Sequence, residues 1–143
     1  MSHKNDRQQI VPPDRAAELA RYCPDLPTWP QRWCGDDADI PPGERIVEFL
    51  TPFLLHLLDQ KLATKTLRNH RDNIWLLGGE AIRERYEDDK LMKLPVDQLV
   101  TNMIDDDGGP LIYPRISESA QESFDATCRK LHRFLNRPST PSR

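Results

Sequence analysis

The chain has 143 residues, of which 37% are hydrophobic and 30% charged, and carries a formal net charge of −3. One domain's length with that balance excludes global attraction to nucleic acid or an anionic membrane, so such binding would need locally segregated charge. The opening MSHKNDRQQ has no apolar h-region, FLTPFLLHLL is far short of the roughly 20 residues that span a bilayer, and three scattered cysteines form no disulfide framework, so a cytoplasmic protein with no membrane partner is expected.

Proline sets the first boundary. Pro12-Pro13, Pro24, Pro27, Pro30 and Pro41-Pro42 crowd into residues 1–42, which read as an N-terminal arm with one short helix over Asp14 to Tyr22. The rest of the arm, CPDLPTWPQRWCGDDADIPPGE, is expected to be irregular, with Trp29 and Trp33 anchoring it to the body through their large apolar area. Residues 43–136 then read as a helical core. Ile46, Phe49, Leu50, Phe53, Leu54, Leu57, Leu58 and Leu62 recur at helical intervals, predicting one helix over Gly43 to Lys61 kinked at Pro52.

Ala63-Thr64 reads as a turn, with Thr64 as N-cap of the next helix. Leu67, Ile74, Leu77, Ala81 and Ile82 form its buried stripe, with His70 at the edge. Gly78 and Gly79 each cost about 1 kcal/mol in a helix interior, which predicts a close crossing or a bend as compensation. A shorter helix, Pro95 to Ile104, buries Val96, Leu99, Val100 and Met103, and DDDGGP ends it. The last helix runs from about Ser117 to Leu135 on a stripe of Phe124, Cys128, Leu131 and Leu135. Residues 137–143 are expected to form a disordered tail. No stretch reads as a strand, so the fold class is all-α.

Charge is segregated along this pattern. Lys61, Lys65, Arg68 and Arg71 fall in one span without an acid, at the start of the second core helix. Arg129, Lys130, Arg133 and Arg137 do the same at the end of the last helix. Acids gather elsewhere, at Asp36, Asp37, Asp39, Glu44 and Glu48, at Glu84, Glu87, Asp88 and Asp89, and at Asp105 to Asp107. Basic residues at a helix N-terminus add to its exposed amides, so an anion such as phosphate fits there, with Thr64, Thr66 and Asn69 as further donors. Two such patches on one face would follow a nucleic-acid backbone. Taken singly, each is also what an ordinary solvated helix face looks like, and cations near a helix C-terminus favour that helix by themselves.

The segments FLTPFLLHLLDQKLATKTLRNHRDNIWLL, LPVDQLVTNMI and SFDATCRKLHRFL resemble the N-terminal core-binding domain of tyrosine recombinases and phage integrases. The resemblance covers about Pro42 to Leu135 and rests on hydrophobic spacing around KLATKTL. It implies an orthogonal four-helix SAM-like bundle whose second and fourth helices approach double-stranded DNA. Carried onto this chain, it points to Lys65, Thr66, Arg68, Asn69, Arg71, Arg129, Lys130 and Arg133. The family's catalytic arginine, His-x-x-Arg and tyrosine nucleophile have no counterpart here, so no strand cleavage is expected. The resemblance thus implies a small non-catalytic DNA-binding module, accessory or regulatory in role.

A second reading is a protein-binding module or homodimer that uses the segregated charges for steering, with the Pro/Trp arm as contact element. Other chemistry is less well supported. Cys128 and His132 stand at i and i+4, and Cys23 and Cys34 could join them on a metal, but Cys128 fits the apolar stripe as a structural thiol. The DDDG run lacks the alternating ligands and closing glutamate of a calcium loop. Gly78-Gly79 has no phosphate-loop lysine, and no serine or cysteine carries a local nucleophile signature. Neither a cofactor nor enzymatic activity is expected.

Overall fold

The protein is represented by a computed structural model that describes residues 12–138. Seven α-helices form among these residues: α1 Pro13–Tyr22, α2 Trp29–Trp33, α3 Ile40–Asp59, α4 Thr64–Glu84, α5 Asp89–Lys93, α6 Val96–Met103 and α7 Glu118–Leu135. No strand forms among them; the one β-type contact is an isolated bridge between Asp105 and Gly108. The protein is all-α. Most of the expected tail falls outside the described residues.

The core sits between α3, α4, α6 and α7. Ile46, Leu50, Phe53, Leu54 and Leu57 of α3 face Ile74, Leu77, Ala81 and Ile82 of α4, and all are buried. Leu99 and Val100 of α6 and Phe124, Cys128 and Leu131 of α7 complete it. Leu67, Met103 and Leu135, expected on the buried stripes, lie only partly covered at the margins. Helix α3 starts earlier than expected and runs through Pro52 as one element. Thr64 is the first residue of α4 rather than its cap. The capping position falls to Ala63, which offers no side-chain bond.

The arm is not irregular. Besides α1 it contains α2 and two 3-10 turns, Leu26–Thr28 and Asp37–Asp39. Trp29 is 1% exposed, and its ring centroid lies 5.7 Å from that of Trp33. Trp33 lies across α4 at the glycine pair, where a Cβ on Gly78 would come within 2.2 Å of the indole ring. Its Nε1 donates to the Trp75 carbonyl at 3.0 Å. The expected close crossing is therefore made by an arm tryptophan. Tyr22 donates from its hydroxyl to the Leu67 carbonyl at 2.6 Å, and Arg15 donates to Asp59 at 2.8 Å, so α1 is tied to both sides of the α3–α4 turn.

Two further details depart from the sequence reading. A short helix, α5, forms where only acidic surface was expected, started by Asp88, whose side chain accepts from the Lys90 amide. Asp39 is not surface acid: it is 2% exposed and accepts from the Gly35 amide, the Arg85 guanidinium and the Tyr86 hydroxyl. A buried carboxylate needs such partners, and these join the arm to the end of α4.

Candidate nucleic-acid interface

Helices α4 and α7 are joined by a polar seam. His70 Nδ1 lies 2.7 Å from the buried Thr127 hydroxyl, which also accepts from Asn73 Nδ2 at 2.9 Å. Asn73 donates as well to Ser123 Oγ at 3.0 Å. Partner numbers rise along α4 as they fall along α7, so the two helices run antiparallel. The start of α4 consequently lies beside the end of α7. These are the two ends where cations concentrate.

Lys130 marks the meeting point. It follows Ser123 and Thr127 on their stripe, and its ammonium helps to depress the pKa of both His70 and His56. For each imidazole, desolvation is the larger cause and Lys130 comes next. His56 also feels Arg137 and stacks against Phe134 at 4.7 Å between centroids. Arg137 lies over the Phe134 ring, 3.9 Å from its centroid. Lys130, Arg133 and Arg137 recur at steps of three and four and so share one face of α7 and the turn that follows it.

On α4, Lys65, Arg68 and Asn69 are exposed, while Thr66 is half-buried toward the seam. Lys61 is exposed in the α3–α4 turn with φ 56°, the left-handed conformation that commonly ends a helix. Lys61, Lys65, Arg68, Lys130, Arg133 and Arg137 form no ion pair with any described residue. Unneutralised cations of this kind favour a polyanion.

Two of the ten candidates are drawn elsewhere. Arg71 turns to the arm, donating to the Tyr22 carbonyl at 3.1 Å and pairing with Asp72 at 3.0 Å. Arg129 reaches the Asp107 carbonyl at 3.3 Å, and His132 pairs with Asp106 at 3.3 Å. Both residues of α7 thereby hold the acidic loop. Sequence reasoning placed His70 at the edge of an apolar stripe and missed its bond across to Thr127.

Cys128 does not join a ligand set. It is fully buried, and burial pushes its thiol pKa well up, as it pushes Cys23 up to about 12. Among the described residues no group of three or more His, Cys, Asp or Glu side chains is placed to hold a metal ion. No helix there is long and apolar enough to cross a membrane. Comparison with protein-family models, curated proteins and solved structures returned no match to this chain.

Proposed function

We propose that this protein is a small non-catalytic DNA-binding helical module that grips the duplex backbone with the basic ends of α4 and α7. The observation that supports the reading is the antiparallel seam, His70 to Thr127 and Asn73 to Ser123, which brings the start of α4, the helix of Lys65 and Arg68, beside the end of α7, the helix of Lys130 and Arg133. Backbone gripping by cations releases condensed counterions, so affinity falls steeply with salt and depends little on sequence. The two acids nearest the start of α4 are partly neutralised: Asp59 is paired to Arg15, and Asp72 to Arg71.

The resemblance to the recombinase core-binding domain supports the same surface. Its first two helices correspond to α3 and α4, its small third helix to α6 and its last to α7. The DNA-facing second and fourth helices are then α4 and α7. In a SAM-like arrangement of these four, the accessory role would be to clamp or position DNA for other proteins. Replacing Lys65, Arg68 and Arg133 together with glutamate is expected to abolish retention on duplex DNA at low salt. Unchanged retention by the folded triple variant would remove this reading.

A further inference from the structure

A cleft of about 400 Å³ opens between the arm and α4, lined by Asp25, Trp29 and Arg32 on one side and by Arg71, Asp72 and Trp75 on the other. Trp75 is 38% exposed, whereas Trp29 in the same cleft is 1% exposed. The partly exposed Trp75 indole lines this cavity, with apolar area available to a ligand. Its backbone is fixed, because the Trp75 carbonyl accepts from Trp33 Nε1 at 3.0 Å.

Position along the helix gives the cleft its meaning. Lys65, Arg68, Asp72 and Trp75 follow one another at steps of three, four and three, and all four are exposed. They therefore run along one face of α4, from its basic start to the mouth of the cleft. A phosphate backbone held at Lys65 and Arg68 would be led toward Trp75.

The charges in the cleft decide which part of a nucleic acid enters. Arg32 and Arg71 are balanced by Asp25 and Asp72, and Arg71 is already bonded to Asp72 at 3.0 Å and to the Tyr22 carbonyl. A site without net charge does not favour a phosphate. It does suit a nucleobase, which stacks on an indole or guanidinium face and offers both donors and acceptors at its edge. Arg32 uses its Nε on Thr28 Oγ1 at 3.1 Å, leaving the two terminal nitrogens for base carbonyls, and Asp25 can accept from an exocyclic amine.

We infer that the cleft between the arm and α4 takes a single unpaired nucleobase, stacked on Trp75, from a strand whose backbone lies along Lys65 and Arg68. The inference rests on the DNA-binding reading and sharpens it: the preferred ligand is DNA with an unstacked base rather than perfect duplex.

Fluorescence anisotropy with two labelled 20-bp duplexes tests this, one perfect and one carrying a single unpaired thymidine. The full chain should bind the bulged duplex roughly tenfold more tightly, in line with the stacking contribution of one base. Trp75→Ala should remove that preference while leaving affinity for the perfect duplex unchanged, and Trp75→Phe should retain most of it. Equal affinity of the wild-type chain for the two duplexes, or a preference that survives Trp75→Ala, would overturn the stacking site and leave backbone binding intact. Failure to bind either duplex at low salt would overturn both.

Discussion

Gly78 shows how one residue sets the relation between arm and core. In isolation, alanine is favoured over glycine by about 1 kcal/mol inside a helix. Here a Cβ at position 78 would fall 2.2 Å from the Trp33 ring, whereas one at position 79 would fall 3.3 Å from it. The first clash is too deep for a well-packed interior, and overpacking costs about 1–3 kcal/mol or more. Gly78→Ala should therefore destabilise the protein by about 2 kcal/mol in urea unfolding, despite the better helix propensity. Gly79→Ala should change stability by less than about 1 kcal/mol, its propensity gain offset by a small displacement of the indole. Equal effects at both positions would mean that Trp33 does not lie across this stretch.

At the scale of elements, the α4–α7 contact includes a histidine whose charged form is disfavoured. His70 is half-buried, and its Nδ1 lies 2.7 Å from the Thr127 hydroxyl, which accepts from Asn73 and donates to the Ser123 carbonyl. Both His70 and His56 have folded-state pKa values below the ordinary 6.5, through desolvation first and Lys130 second. A lowered value means that the unfolded chain binds protons more tightly than the native one. Stability from these groups is thus full above 6.5, falls as pH drops through 6.5, and stops falling below the depressed native values. Urea midpoints measured across that window should decline toward acid, and His70→Gln should flatten part of the decline. A midpoint that rises as pH falls from 7 would contradict the seam described here.

The core helices α3, α4, α6 and α7 were legible because their apolar residues repeat over many turns, and periodicity is a property of the local chain. In the arm only α1 was legible, started by Pro13 as expected. Pro30 read as a break, yet it sits in the first turn of α2, where a missing amide costs nothing. Helix α5, five residues long, is too brief to show a period. Asp39 looked like one more surface acid because nothing nearby in sequence announces Arg85 and Tyr86, more than forty positions away. The candidate cations were visible as two clusters, but Arg71 and Arg129 were counted with them. Which member of a cluster faces its neighbour depends on helix rotation, and only packing fixes that.

For the molecule as a whole, the formal net charge of −3 makes the sorting of charge decisive. Asp39 is buried and Asp59, Asp72 and Glu80 are paired, while six cations around the α4–α7 end have no ion-pair partner among the described residues. If these cations act together, each half of the patch contributes to one electrostatic grip on DNA. The salt dependence of duplex affinity measures that grip, since its slope scales at about 0.9 per phosphate neutralised. It should be compared for the wild-type chain and for two half-patch variants, Lys65→Glu with Arg68→Glu and Lys130→Glu with Arg133→Glu. Both variants should bind more weakly and with a shallower slope. A slope that changes in only one of them, or in neither, would contradict a shared cationic surface.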